Sequence, residues 1–261
     1  MIFESRDLDP PDLHFGNNKT FNLKDEDVFE NYTKFLKNKL KENGPVKAKV
    51  RFSTKERLAL VYPSEHLAEK QVKKFYLDLK NSAKRYLRTK LPPKSKLYLW
   101  EYSGGDTTDV RRNYSKFKSN VKAVICILRN DDDSLYFEFK RMFQDVPCQM
   151  ATKDLVLEKY DLPSSKIHLY FNSVLNLVCG LLGKMDVRPW LLGRKLKGDL
   201  YIGVDTRLNK IATFTLVNNK GNYIDETSRP IEGSKIKEDT TSFSQLKLQE
   251  FTHYISITVS R

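Results

Sequence analysis

The sequence has few of the residues that build covalent or metal-bound frameworks. Its three cysteines are Cys126, Cys148 and Cys179, and no two of them have the C-x-x-C spacing of a zinc or redox motif. An odd number of cysteines in apolar surroundings argues against a disulfide framework and against a zinc site, and it favours a reducing cytoplasm.

Long hydrophobic runs and standard nucleotide-binding fingerprints are missing as well. The longest apolar stretch, residues 174–182, is too short to span a bilayer. The first residues lack the basic-then-apolar pattern of a signal peptide. Gly104 and Gly105 match neither a P-loop nor a dinucleotide fingerprint. We therefore expect no membrane contact, and no nucleotide site of these two kinds.

What the chain has in excess is positive charge. Its 261 residues carry 46 Lys and Arg against 33 Asp and Glu, a formal net charge of +13. Residues 1–50 are balanced, whereas residues 51–100 hold thirteen basic and four acidic side chains. A field of this size on one segment favours a polyanionic partner, most often nucleic acid, over a merely basic soluble protein.

Strands and helices alternate from about residue 57 to residue 185. Apolar patterns predict strands at 47–52, 57–62, 96–102 and 121–128, the last one buried on both faces. Steps of three and four predict helices over 25–41, from Ser64 to Leu91, after Ser134, and in a longer segment that ends at Lys184. This order predicts an α/β fold with a mainly parallel sheet, in which ligands bind beyond the carboxyl ends of the strands.

The pattern changes after Trp190. Three strand-like runs at 199–207, 210–217 and 222–226 are joined by short turns and predict an antiparallel meander, and a helix is predicted over 242–255. We therefore divide the chain into an N-terminal segment (1–56), an α/β domain (57–187) and a C-terminal part (188–261).

Residues 135–184 contain the side chains that best suit an anionic, ring-bearing ligand. Tyr136 and Lys140 are four residues apart and share a face of the predicted helix. Gln149 is expected in the turn after that helix, and Lys184 at the end of the second, longer helix. Singly, these are an ordinary tyrosine, a solvated lysine and a lysine that complements a helix C-terminus. Together they fit a nucleotide with a free phosphate.

The predicted helix from Ser64 to Leu91 carries most of the excess charge. Its apolar stripe is interleaved with basic side chains: Lys70, Lys73, Lys74, Lys80, Lys84, Arg85 and Arg88. A solvated basic face and a contact with a nucleic-acid backbone are both open interpretations of this pattern.

These motifs resemble the prokaryotic Argonaute family, and above all its short members, which lack the N-terminal and PAZ domains. The resemblance runs from about residue 58 to residue 255. It rests on the order Tyr136-x-x-x-Lys140, Gln149 and Lys184, then on the run Arg188-Pro189-Trp190, and then on residues 202–205 (Ile-Gly-Val-Asp). It implies a Rossmann-like MID domain followed by the start of an RNase H-like PIWI domain.

The resemblance also implies a role for each residue. Tyr136 would stack on the first base of a guide strand, and Lys140, Gln149 and Lys184 would hold its 5′-phosphate. Asn176, two turns before Lys184, would contact the guide backbone. Stacking on an aromatic ring accepts any base, which suits guides of varied sequence.

The chain departs from the family where target cleavage is concerned. The resemblance places Asp205 at the first carboxylate of a two-metal site. Ser234 stands where some active members have a glutamate, although Glu232 and Glu238 lie near it. The later carboxylates would lie beyond residue 261, so the PIWI-like domain is expected to be incomplete. This favours Asp205 as a strand-end residue, and as a metal ligand only if a partner chain complements the site.

A divalent cation, Mg²⁺ or Mn²⁺, at the 5′-phosphate is a further feature that the resemblance suggests. In relatives a side chain one turn after the Asn176 position helps to ligate it. Gly180 stands there and offers no ligand. Lys140 and Lys184 would then have to neutralise the phosphate largely by themselves.

Three functions follow as hypotheses. The first is a guide-binding protein in defence against invading nucleic acid, without nuclease activity of its own, and with a protein partner that completes the PIWI domain or acts as effector. The second is one half of a split, metal-dependent guided nuclease with Asp205 as ligand. The third is a basic α/β protein without preference for a strand end. RNA and DNA are both open as guide and as target.

Overall fold

The computed structural model describes residues 12–21, 32–48, 50–129, 133–192, 200–207, 211–218 and 223–230. The chain forms two compact units, residues 1–194 and 195–261. The first unit contains, in chain order, β1 (Leu13–Phe15), β2 (Lys19–Phe21), α1 (Tyr32–Asn43), β3 (Arg57–Pro63), α2 (Glu69–Leu87), β4 (Leu97–Tyr102), α3 (Thr108–Phe117), β5 (Val121–Leu128), α4 (Asp133–Met142), β6 (Cys148–Thr152), α5 (Lys153–Asp161), α6 (Ile167–Gly183) and β7 (Leu191–Leu192).

A parallel four-stranded sheet forms the centre of this unit. Its strand order is β4-β3-β5-β6, and every neighbouring pair is parallel. All but one of the β5 residues are buried, as the continuous apolar run 121–128 predicts for a strand that is covered on both faces. The alternation of a β-strand then divides its side chains between the two faces. The predicted α/β fold with a mainly parallel sheet is confirmed.

Each face of the sheet has its own apolar core. Leu58, Leu60 and Ile125 pack with side chains of α1, α2, α5 and α6 on one face. Val61 and Cys126, together with other side chains of the opposite face, pack with α3 and α4. The sheet therefore separates a four-helix layer from a two-helix layer, and each layer buries its sheet face from water.

Helix α2 begins later than the sequence predicts. Ser64 is not its N-cap, because the Ser64 backbone N–H donates to the Tyr102 carbonyl, 3.0 Å away, and ties the chain to the end of β4. The helix starts at Glu69, where the Gln71 side chain accepts a hydrogen bond from the Ala68 backbone N–H at 2.9 Å. It ends at Leu87, before the prolines, because Arg88 adopts a left-handed conformation (φ 49°).

Other elements also differ from the sequence prediction. The described residues of 47–52 form no strand; Lys47 makes only an isolated bridge with Arg188, through hydrogen bonds of 3.1 and 2.9 Å. Helices α3 and α5 and strand β6 were not predicted. Helix α3 buries only Val110 and Tyr114, one turn apart, so its apolar stripe is too short to show helical periodicity.

The described N-terminal residues pack on the same core as the parallel sheet. Strand β1 pairs with β2 and with β7 in a small antiparallel sheet. Phe15 and Leu40 are fully buried, and the Phe15 ring lies 6.3 Å from the Trp190 ring. The helix predicted over 25–41 is observed as α1, and residues 22–31 lie outside the described part of the chain.

The described residues of the second unit form an antiparallel meander. Strands β8 (Leu200–Arg207), β9 (Ile211–Asn218) and β10 (Tyr223–Pro230) follow one another in space as in sequence, as the three predicted strands require. The helix predicted over 242–255 lies outside the described residues. Among the described residues, no helix has the length and apolar character needed to cross a membrane.

Candidate nucleic-acid interface

Helix α4 carries the first two predicted site residues. Leu135 and Phe139 face the core, which turns Tyr136 and Lys140 to its half-buried flank. The Lys140 ammonium lies over the Tyr136 ring, 5.6 Å from its centre, within cation–π range. The expected sharing of one helix face by the aromatic ring and the ammonium group is confirmed.

Gln149 lies on strand β6, not in the turn after α4 as the sequence suggested. It is paired in register with Ile125, in the middle of β5. Strand β6 is the edge of the sheet, so Gln149 and Lys140 lie beside an edge strand. Gln149 therefore lies along the sheet edge and not beyond the carboxyl end of its strand. Helix α4 connects β5 to β6 in the chain and packs on one face of the sheet.

Lys184 follows the last residue of α6 and connects this helix to the edge strand. Its Nζ donates to the Cys148 carbonyl at 2.7 Å and to Gln149 Oε1 at 2.9 Å. The side chain therefore does more than complement the C-terminus of its own helix. Because the Gln149 side-chain oxygen accepts this bond, its NH₂ group is the end of the amide that can donate to a ligand.

The Cys148 thiol lies within the electrostatic range of both lysines. A hydrogen bond with Cys126, whose Sγ is 3.9 Å away, lowers the pKa of the Cys148 thiol, burial raises it, and the positive charges of Lys140 and Lys184 lower it. Burial raises the pKa of Cys126. Lys140 on α4 and Lys184 after α6 thus both act electrostatically on one buried thiol, at the amino end of β6.

Gly180 makes room for the Gln149 amide. A Cβ added at Gly180 would lie 2.9 Å from Gln149 Oε1 and 3.2 Å from its Cδ. These atoms are the far end of a flexible side chain, so a larger residue would displace the amide without moving the strand. A glycine inside an otherwise apolar helix was the signal for this packing role.

The Gly180→Ala variant should separate stability from binding. Alanine is favoured over glycine inside a helix by about 1 kcal/mol, so the free energy of unfolding should stay level or rise. The displaced amide should lower the affinity for a 5′-phosphorylated oligonucleotide about ten- to a hundredfold, because one hydrogen bond to a charged group is worth about 1.5–3 kcal/mol. Urea unfolding and fluorescence anisotropy measure the two quantities.

A matched Gly183→Ala variant, with nothing near its added Cβ, should leave the affinity unchanged. Unchanged affinity in Gly180→Ala would contradict a role for Gln149.

Asn176 and Asp205 are the remaining predicted residues. Asn176 is exposed on α6, two turns before Lys184. Asp205 belongs to β8 in the second unit, where its backbone pairs with Thr213; its side chain is not described. Ser234 and its neighbours Glu232 and Glu238 lie outside the described residues.

A separate cleft of about 350 Å³ lies between α3 and α4, on the far side of α4 from Lys140. Its lining residues are Arg111, Ser134, Phe137, Glu138, Arg141 and Met142. None of the predicted site residues lines it. The cluster at β6 is therefore not part of this cleft.

Comparison with known proteins supports the fold. No protein-family model and no curated protein sequence matches the chain. Among solved structures, Drosophila Piwi matches 84% of the chain with a TM-score of 0.53 at 13% identity. Marinitoga piezophila Argonaute in complex with 5′ OH guide RNA matches 94% (TM-score 0.45, 15% identity), and its complex with guide RNA and target DNA matches 97% (0.46, 14%).

The Piwi match and the sheet topology together show a MID/PIWI-like α/β fold. The chain spans only 29% of the Piwi chain, and 36% and 38% of the two Argonaute chains. The likeness therefore concerns architecture, and the site has to be judged on its own chemistry.

The structure adds two residues that the sequence did not single out for the site. The Cys148 carbonyl accepts a hydrogen bond from Lys184, and the Cys148 thiol shares a hydrogen bond with the Cys126 thiol. No sequence signal marks the carbonyl, because any residue at that position supplies one. The cysteine pair became visible only with the register of β5 against β6.

Proposed function

We propose that this protein binds the 5′-phosphorylated end of a nucleic-acid strand. The observation that carries the proposal is the Lys184 ammonium, bonded to Gln149 Oε1 and to the Cys148 carbonyl. The positive charge of Lys140 acts on the same cysteine and lowers the pKa of its thiol. Half-buried Tyr136 stands beside Lys140, 5.6 Å from its ammonium.

The chemistry suits a terminal phosphate better than an internal one. A phosphomonoester carries about −1.5 to −2 charges near pH 7, whereas a phosphodiester carries one. Two ammonium groups balance the monoester. The Gln149 amide adds a directed donor, and the Tyr136 ring offers a stacking surface for the terminal base. Asn176, further back on α6, would contact the backbone of the following nucleotides.

At the level of the whole protein, we propose an Argonaute-like guide carrier of the short prokaryotic type. It would pair its guide with invading RNA or DNA and leave the response to a partner protein. Anchoring needs only the residues at β6, whereas cleavage would need carboxylates in addition to Asp205. This is why we propose anchoring, without nuclease activity, as the activity of this chain.

The experiment is a comparison of affinities for one oligonucleotide that ends either in a 5′-phosphate or in a 5′-hydroxyl, carried out with both RNA and DNA. We expect the phosphate to raise the affinity at least tenfold, which corresponds to about 1.4 kcal/mol. Equal affinities would refute end anchoring. They would leave a basic α/β protein whose binding scales with strand length.

A divalent cation fits this site poorly. The neutral oxygens of the site, Gln149 Oε1 and the Cys148 carbonyl, already accept hydrogen bonds from Lys184. Among the described residues, no three His, Cys, Asp or Glu side chains could hold a metal together. If Mg²⁺ or Mn²⁺ contributes at all, the phosphate oxygens would supply most of its ligands.

The affinity for the phosphorylated oligonucleotide should therefore depend little on metal. Replacing Mg²⁺ with EDTA at constant ionic strength should change it less than about twofold, because the two lysines neutralise the phosphate. Titrations with and without EDTA, with Mn²⁺ as a third condition, measure this. A tenfold loss in EDTA that is confined to the phosphorylated strand would contradict it.

A further inference from the structure

Helix α2 presents a row of basic side chains that the proposed strand-end site does not use. Four cations on it are exposed, and we call them the α2 stripe: Lys70, Lys74, Lys84 and Arg85. At 100° per residue they fall within an arc of about 100°, and at 1.5 Å per residue they extend over about 22 Å. They form two pairs on one side of the helix, Lys70 with Lys74 and Lys84 with Arg85, about 15 Å apart along its axis.

The acidic residues of α2 do not neutralise this stripe. Glu69 is bonded to Lys73 at the start of the helix. Asp78 is 9% exposed and accepts hydrogen bonds from Lys159 and Tyr170 in the core. Both carboxylates are thus engaged with cations outside the stripe, whose four charges face solvent.

Aromatic rings lie among these cations. The Lys74 ammonium lies 5.7 Å from the centre of the Tyr160 ring, which is 48% exposed. The Tyr86 ring lies between Arg85, at 5.5 Å, and Lys37, at 6.0 Å. Tyr160 is exposed and Tyr86 is half-buried. Accessible rings beside cations are a surface that single-stranded nucleic acid uses, since bases stack on the rings while the backbone follows the charges.

One residue of the α2 stripe, Arg85, lies close to a further cation, Lys37 of α1. Burial lowers the pKa of Lys37, and the positive charge of Arg85 lowers it further. Lys37 is held in place by a hydrogen bond to Asn172 Oδ1 at 2.8 Å, so it does not move away from Arg85. A bound polyanion would relieve this repulsion.

We propose that the α2 stripe is a second nucleic-acid contact, which binds the sugar–phosphate backbone away from the strand end. With one phosphate per 3.4 Å of each strand, 22 Å corresponds to about six phosphates. The inference shares with the proposed function only the premise that the chain binds nucleic acid. It needs no free 5′ end, and it predicts affinity that grows with strand length.

The test replaces all four stripe residues with glutamine, which keeps the helix propensity and removes four charges. The control removes four exposed cations elsewhere: Lys55, Arg112, Lys116 and Lys118. For a single-stranded oligonucleotide, the slope of log affinity against log salt should decrease by about 3 in the stripe variant, at about 0.7 per lost contact. The control should change it by less than about 1.

The two sites can fail independently. The stripe variant should weaken phosphorylated and hydroxyl-ended strands by the same factor, so their affinity ratio stays at the wild-type value. If the salt slope of the stripe variant equals that of the control variant, the stripe proposal is overturned. The basic face of α2 would then fit an acidic protein partner better than nucleic acid. If the wild-type protein binds phosphorylated and hydroxyl-ended strands equally well, the strand-end site is refuted. The salt-slope result would not be affected by that outcome. If the fourfold variant does not fold, the Lys70→Gln/Lys74→Gln pair should lower the slope by about 1.4.

Discussion

Replacing Lys140 and Lys184 together with alanine is expected to reduce the affinity for a 5′-phosphorylated oligonucleotide by about a hundredfold or more. Each lysine supplies a charge-assisted contact worth about 1.5–3 kcal/mol, and two such contacts exceed the 2.7 kcal/mol that correspond to a hundredfold change. The same strand with a 5′-hydroxyl should lose less than about threefold, because only general electrostatic attraction is reduced.

The control for this variant is a pair of exposed lysines away from β6. Lys116 lies on α3 and Lys166 lies at the start of α6, and both are exposed. Their replacement with alanine removes the same two charges, and it should lower the affinity for both strands by similar, small factors. Equal losses for both strand ends in the Lys140→Ala/Lys184→Ala variant would mean that the two lysines act only through net charge. Thermal unfolding of each variant checks that the loss of the Lys184–Cys148 hydrogen bond does not unfold the domain.

The Asp78→Ala variant should have the largest effect on stability, a loss of about 3 kcal/mol in the free energy of unfolding. Asp78 joins three helices of the four-helix layer. Its carboxylate accepts hydrogen bonds from Lys159 of α5 at 2.8 and 3.0 Å and from the Tyr170 hydroxyl of α6 at 2.8 Å. Tyr170 is fully buried, so its hydroxyl would lose its partner without gaining water. Burial raises the pKa of Tyr170, followed by the hydrogen bond to Asp78, so the hydroxyl stays protonated and donates.

Glu69→Ala is the matched control, because it removes a carboxylate from the same helix. Its ion pair with Lys73 is exposed, with 51% and 39% of the two side chains accessible, and such pairs contribute at most about 0.5 kcal/mol. Urea unfolding should show a much lower midpoint for Asp78→Ala and nearly the wild-type midpoint for Glu69→Ala. Similar midpoints for the two variants would show that the buried network contributes no more than a surface pair.

The fold was predictable where the apolar pattern is long. Residues 121–128 are apolar almost throughout, so a strand covered on both faces was the natural expectation, and the helix that ends at Lys184 has a clear buried stripe. Strand β6 could not be predicted in this way. It has five residues with a mixed pattern, and its strand conformation depends on pairing with β5, more than twenty residues earlier in the chain.

The candidate site also combines contacts that follow from local sequence with contacts that depend on the tertiary fold. The pairing of Tyr136 with Lys140 follows from helical spacing alone, and the structure confirms it. The contact between Lys184 and Gln149 depends on how α6 crosses the edge of the sheet, and therefore on the whole core. Ser64 shows the opposite case, in which a residue typical of N-caps is drawn into a tertiary hydrogen bond with Tyr102 and the helix starts five residues later. Local preference is reliable only where no long-range contact competes with it.

The most direct test of strand-end anchoring compares two isomeric oligonucleotides of one sequence, each with a single terminal phosphate, at the 5′ end in one and at the 3′ end in the other. Because their total charge is equal, general attraction to a +13 protein cannot distinguish them. We predict that the 5′ isomer binds at least tenfold more tightly to the wild-type protein, and that Lys140→Ala/Lys184→Ala abolishes the difference. Equal affinities of the two isomers for the wild-type protein would contradict the account.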